Sequence, residues 1–97
     1  MEALQLESVE DWTGPLLRKI RDLRDIPMER LVEVTRIRRS YLAAIEQEEF
    51  GKLPAPVFVR GFLIQIAREL KVPSSRLVNS YLGRLERWTV SQNGKSR

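Results

Sequence analysis

Five prolines punctuate this 97-residue chain, and the apolar residues between them recur at the spacing of an α-helix. Proline is tolerated in the first turn of a helix, because the amide that it lacks would have no partner there. Pro15, Pro27, Pro56 and Pro73 therefore mark the starts of four predicted helices. A fifth helix fits between the second and the third of these. We predict an all-α fold, a compact five-helix bundle without strands and with disordered termini.

The predicted helices cover, in chain order, residues 13–24, 27–34, 38–47, 56–70 and 73–88. Thr13 is the expected N-cap of the first helix. The apolar face of that helix is predicted to contain Leu16, Leu17, Ile20 and Leu23. The buried residues of the third helix are predicted to be Tyr41, Leu42 and Ile45, with Ile37 just before it. Its outward residues are predicted to be Arg38, Arg39, Ser40, Ala43 and Glu46.

The chain contains neither cysteine nor histidine. These absences remove disulfides, thiolate metal sites and the commonest general base. We therefore expect no catalytic residue, no metal, no cofactor and no small-molecule substrate. No apolar run approaches the length of a membrane span, and the acidic start does not resemble a signal peptide. We expect a cytoplasmic protein, which would be tethered to a membrane if a span follows residue 97.

Charge is unevenly distributed along the chain. The net charge is +4, but the first twelve residues carry four acidic and no basic side chains, at Glu2, Glu7, Glu10 and Asp11. Residues 13–97 therefore carry +8. We predict a flexible acidic lead-in at 1–12, a domain at 13–88 and a disordered tail at 89–97. A basic body fits a polyanion or an acidic protein as partner, or charges that only keep the domain soluble.

The segment LVEVTRIRRSYLAAIE, residues 31–46, predicts two short amphipathic helices joined by a tight turn, which is a helix-turn-helix. The second helix of such a pair lies in the DNA major groove. The candidate DNA-binding residues are Arg36, Arg38, Arg39, Ser40 and Ala43. Arg18 and Lys19 of the first helix are further candidates, which would contact the phosphate backbone. Arg36 stands where a glycine is common, and Val32 where a small residue is usual. The alternative is that these arginines are solvated charges on a structural motif.

The segment TRIRRSYLAAIEQEEFGKLPAPVFVRGFLIQIARELKVPSSRL resembles the N-terminal cytoplasmic domain of the RodZ family, a relative of the Cro/C1-type helix-turn-helix proteins. The resemblance covers roughly residues 14–82 and implies a five-helix bundle. It also implies a basic linker, a membrane span and binding to the bacterial actin-like protein MreB. RodZ proteins use two aromatic residues of the fourth helix for that contact. Here the first is Phe62, whereas the second falls at Ile66. Similar domains also occur in soluble DNA-binding regulators.

The fourth predicted helix is apolar on most of its sides. Val59, Leu63, Ile66 and Leu70 form one inward cluster at 100° per residue. The candidate protein-binding residues are Phe58, Arg60, Phe62 and Ile66. Two functions therefore stay open for a non-enzymatic binding module. One is DNA binding through the third helix, and the other is a RodZ-like adaptor that binds MreB or another protein through the fourth. The oligomeric state is not predicted.

Overall fold

The computed structural model describes residues 6–95, and it contains five α-helices and no strand within that range. The helices are α1 (Gly14–Leu23), α2 (Met28–Thr35), α3 (Arg39–Gln47), α4 (Pro56–Leu70) and α5 (Ser74–Lys95). Short 3-10 turns lie at Leu6–Ser8 and Phe50–Lys52. The prediction of an all-α five-helix fold is confirmed.

The helix starts follow the signals in the sequence. Thr13 caps α1, because its side-chain oxygen accepts a hydrogen bond from the Leu16 amide at 3.2 Å, and Pro15 lies in the first turn. Pro56 is the first residue of α4, which ends at Leu70 as predicted. Pro27 lies one residue before α2, where its extended backbone leads into the helix.

The connections between helices use the left-handed backbone conformation, and they do so without glycine. The residues with positive φ are Asp25, Arg36, Glu48 and Lys71, at 56°, 61°, 55° and 61°. Arg36, Glu48 and Lys71 are the C-caps of α2, α3 and α4. A left-handed residue lets the chain leave the helix in one step, and a non-glycine residue makes that turn at a cost of about 1–2 kcal/mol.

One hydrophobic core joins all five helices. α4 packs against α5 and α2, while α1 packs against α3. The fully buried large side chains are Trp12, Leu17, Ile20, Leu31, Leu42, Ile45, Val59, Leu63, Leu70, Leu77 and Tyr81. Ile66 is only 3% exposed and belongs to the same core. The inward cluster predicted for the fourth helix is therefore buried as a whole.

Several sequence expectations were wrong in detail. Glu46 is buried rather than outward, because it pairs with Arg21 inside the bundle. Leu23 is 57% exposed at the end of α1, beyond the reach of the core. Tyr41 is only partly buried. α5 does not end near Trp88 but continues to Lys95, since no proline interrupts it.

The predicted division of the chain into a domain with flexible ends stays a prediction. Residues 1–5 and 96–97, including Glu2, lie outside the described residues. Trp12, at the end of the predicted lead-in, is buried in the core, and its amide donates to the Ser80 hydroxyl at 2.8 Å. The predicted tail overlaps the last turns of α5.

Candidate nucleic-acid interface

The turn between α2 and α3 is closed by Thr35. Its hydroxyl donates to the Leu31 carbonyl at 2.7 Å and accepts from the Ile37 amide at 3.2 Å. Thr35 and Ile37 are both buried, so one side chain satisfies the backbone on both sides of the turn. The left-handed Arg36 lies between them with its side chain exposed. These contacts hold α2 and α3 in a fixed relative orientation.

Four polar side chains lie on the outside of this turn and at the start of α3. Arg36, Arg38, Arg39 and Ser40 are all exposed. α3 begins without a side-chain cap at Arg38, so its first amides are open to an anion from outside. The structure therefore exposes, next to one another, four of the seven residues that the sequence predicts to bind DNA.

Two of these arginines have neighbours within the domain. The guanidinium of Arg38 lies over the ring of Tyr41 at 5.4 Å, and that ring stacks on Phe62 with 5.6 Å between centroids. Arg39 Nη1 donates to Glu29 Oε2 at 3.1 Å. Both contacts are at the surface, so neither removes the positive charge from solvent.

A cleft of about 500 Å³ runs between α1 and α3. Arg18, Arg39, Ala43 and Gln47 are among its lining residues, and Arg21 and Glu46 also line it. Ala43 is half-buried there, and Arg18 is exposed, at 4.0 Å from Asp22. Lys19 is also exposed but does not line the cleft. The candidate residues of α1 and α3 therefore only partly share one surface.

Arg21 and Glu46 form a buried ion pair beside this cleft. Arg21 Nε and Nη2 donate to the two carboxylate oxygens of Glu46 at 2.8 and 3.1 Å, and Nη1 donates to the Ile26 carbonyl at 2.9 Å. The hydrogen bonds to Glu46 raise the pKa of Arg21, against the opposing effect of burial. The pair fixes α3 to α1. Sequence patterns do not predict this pair, because the two residues are 25 positions apart.

The carboxyl end of α3 is held by α1 and α5. Tyr81 of α5 donates its hydroxyl to the Ile45 carbonyl at 2.8 Å, and burial raises the pKa of Tyr81, with Glu48 adding to the effect. Glu48 accepts from the Gly14 amide at 2.8 Å and from Arg84 Nη2 at 2.6 Å. Arg84 also donates to the Trp12 carbonyl at 2.8 Å. α3 is thus anchored at one end and exposed at the other.

A family model for the helix-turn-helix domain matches residues 16–77, which is well over half of the chain. The chain belongs to this helix-turn-helix domain family. No curated protein and no solved structure matches it. The match begins in α1 and ends in α5, so it includes the α2–α3 pair together with the helices that hold it. The family is one of non-enzymatic binding domains.

A second surface of the helix-turn-helix domain lies on α4. Val57 is 71% exposed and Phe58 is 59% exposed, and Arg60 beside them is exposed too. Within the described residues Arg60 makes no hydrogen bond or ion pair. Phe62 is half-buried against Tyr41. Ile66, the fourth candidate for protein binding, lies in the core and does not reach this surface.

Gly61 lies on the same exposed side of α4, and a Cβ added there would meet no atom within 4 Å. Nothing inside the domain therefore requires a glycine at this position.

Among residues 6–95, no three acidic, histidine or cysteine side chains cluster as a metal site would require. None of the helices in that range is both long and apolar enough to span a bilayer.

Proposed function

We propose that this domain binds double-stranded DNA with α3 in the major groove. The observation that carries the proposal is the set of exposed polar residues at the turn and at the uncapped start of α3. These are the positions from which a helix-turn-helix reaches DNA. The charge of +8 on residues 13–97 supports the same partner, because a basic body is attracted to the phosphate backbone.

The proposal assigns base contacts and phosphate contacts to different candidate residues. Arg39, Ser40 and Ala43 follow one another along the first turns of α3, from which side chains reach base edges. Arg36 and Arg38 lie in the turn before the helix, and the proposal assigns them to phosphate contacts. Arg18 lines the α1 side of the cleft, and the exposed Lys19 next to it in the chain adds a second positive charge on α1.

Titration of the chain with a DNA duplex tests the proposal. The affinity should fall roughly a hundredfold between about 50 and 200 mM salt, because several counterions are released on binding. Arg38→Ala should lower the slope of log affinity against log salt by about one. Arg87→Ala is the matched control, since Arg87 is an exposed arginine on α5. Binding that leaves the amide resonances of α3 unmoved, or that Arg87→Ala weakens as much, would refute the site.

A second candidate function is that of a RodZ-like adaptor, and one observation favours it. Val57 and Phe58 are large apolar side chains left exposed on α4, beside Arg60, which has no polar partner among residues 6–95. The resemblance to the RodZ family suggests MreB as the protein bound and the bacterial cytoplasm as the place. Ile66 takes no part in this proposal, because it is buried. The surface is then formed by Phe58, Arg60 and the half-buried Phe62.

A binding assay with purified MreB tests this second candidate. Phe58→Ser should abolish binding, because it removes the most exposed aromatic ring of the surface without touching the core. Val90→Ser is its control, since Val90 is a similarly exposed apolar residue on α5. If Phe58→Ser binds MreB as well as the unaltered chain does, α4 is not the binding surface.

A further inference from the structure

Glu29, in the first turn of α2, contacts the first residue of α3. Its Oε2 accepts a hydrogen bond from Arg39 Nη1 at 3.1 Å. A hydrogen bond from the amide of Glu29 itself, followed by the bond from Arg39, lowers the pKa of the Glu29 carboxyl. The Glu29 side chain is 73% exposed, so the pair with Arg39 lies in solvent. An ion pair this exposed contributes little to stability, so its geometry calls for another explanation.

The ion pair with Glu29 leaves the Nε–Nη2 edge of the Arg39 guanidinium available to a ligand. Glu29 engages Nη1, and within the described residues Nε and Nη2 of Arg39 have no partner. Those two groups are parallel donors on one edge of the guanidinium, the arrangement that matches O6 and N7 of guanine. Arg21 shows the opposite case in the same cleft, because its Nε–Nη2 edge is already bound to Glu46.

The other arginines of this surface are less suited to reading a base. The guanidinium of Arg38 lies over the Tyr41 ring, and Arg36 belongs to the left-handed turn before α3. Arg39 is the arginine that sits on α3 itself, at its first residue. Arg39 also has its guanidinium restrained by another helix, through the ion pair with Glu29 of α2. Restraint matters, since an arginine side chain otherwise loses much rotamer freedom on binding.

We propose that Glu29 is a positioning residue, which holds Arg39 so that its free edge presents two donors to a guanine in the major groove. This assignment rests on the proposed DNA binding. It predicts a preference for guanine at one position of the bound site. It also predicts two opposite effects of removing Glu29. Selectivity falls because Arg39 is no longer restrained, while overall affinity rises because a negative charge close to the phosphates is gone.

Selection from a library of DNA duplexes with a random central segment tests this without knowledge of the target. The unaltered 97-residue chain should enrich a guanine at one position. Arg39→Lys keeps the charge but not the fork, so it should still bind duplex and lose that guanine. Glu29→Gln should bind at least as tightly, with the preference for guanine reduced about two- to fivefold, which is the range that one exposed ion pair can supply.

Glu33→Gln is the matched control. Glu33 is exposed on the same helix, and within the described residues it makes no ion pair, so the substitution changes the charge equally without releasing Arg39. It should leave the guanine preference intact. An unchanged preference in Glu29→Gln, or one that Glu33→Gln reduces as much, would overturn the role of Glu29 alone. No binding of any duplex by the unaltered chain would overturn the proposed function and this assignment together.

Discussion

Arg21 of α1 donates two parallel hydrogen bonds to Glu46 of α3, at 2.8 and 3.1 Å, with both side chains buried. The third nitrogen of the guanidinium donates to the Ile26 carbonyl, so each nitrogen of the buried cation has a partner. Two charges removed from water in this way are tolerated only because their geometry is good. The pair sets the position of α3, and with it the direction in which the candidate DNA-binding side chains point.

Replacing Glu46 by leucine alone should lower the free energy of unfolding by roughly 3–5 kcal/mol, because it leaves the Arg21 charge buried without a partner. The double variant Arg21→Met/Glu46→Leu should recover most of that loss, since no charge is then buried. Urea unfolding of the three chains measures both effects. Glu29→Gln serves as control for an exposed pair and should leave the unfolding midpoint unchanged. A double variant as unstable as the single one would contradict this account.

Gly14→Ala should destabilise the domain strongly. A Cβ at Gly14 would collide with the carbonyl oxygens of Ile45 and Glu46, and it would lie 2.7 Å from the Glu46 carbonyl carbon. All three atoms belong to the backbone and cannot rotate away, so we expect a loss of roughly 3 kcal/mol or more. Gly61→Ala is the comparison, because its Cβ enters open space on α4. It should gain about 1 kcal/mol, as alanine does over glycine inside a helix. Thermal unfolding of both variants decides, and equal effects would be inconsistent with the close packing of α1 on α3.

Lys71→Gly should stabilise the domain by roughly 1 kcal/mol, because glycine adopts the left-handed conformation of this C-cap without strain. Arg36→Gly should do the same at the end of α2 while removing one candidate phosphate contact. Glu48→Gly is expected to destabilise instead, since its carboxylate binds the Gly14 amide and Arg84. Denaturant unfolding separates the three, and a loss of stability in Lys71→Gly would show that strain is not what matters there.

Tyr81 links stability to alkaline pH. Burial raises its pKa in the folded state, whereas an exposed tyrosine titrates near pH 10. The folded chain therefore keeps the phenol proton that the unfolded chain loses, and the free energy of unfolding falls as the pH rises above about 10. Tyr81→Phe should cost about 1 kcal/mol at neutral pH, through the lost bond to Ile45, yet show a shallower alkaline decline. Unfolding at about pH 7 and about pH 11 gives the comparison, and parallel declines would argue against it.

Local patterns in the sequence predict much of this fold because the features concerned are local. A cap such as Thr13 or a proline such as Pro56 acts on its own turn, so α1 begins and α4 runs as predicted. Glu46 shows where such reasoning ends. A carboxylate on a short helix is usually solvated, and only the folded chain brings Arg21 to it from α1.

The candidate DNA-binding surface was predictable to a similar degree. The exposed residues at the start of α3 follow from the helix-turn-helix pattern, since the turn and the helical period place them outside. The Glu29–Arg39 pair and the cleft beside it were not predictable, because both depend on how α1 and α2 approach α3. At Ile66, by contrast, two signals in the sequence disagreed. Its match to a family position suggested a contact residue, while its spacing with Val59 and Leu63 already indicated the core.

The anchoring of the carboxyl end of α3 limits how this motif could be grafted onto another protein. A chimaera that received only α2 and α3 would leave Gly14, Tyr81 and Arg84 behind, and with them the hydrogen bonds to Ile45 and Glu48. These partners lie 34 to 36 positions away in the chain. The unit that could be transferred is therefore not the twenty-odd residues of the motif but the stretch from Trp12 to Arg84. The whole bundle would have to be grafted together.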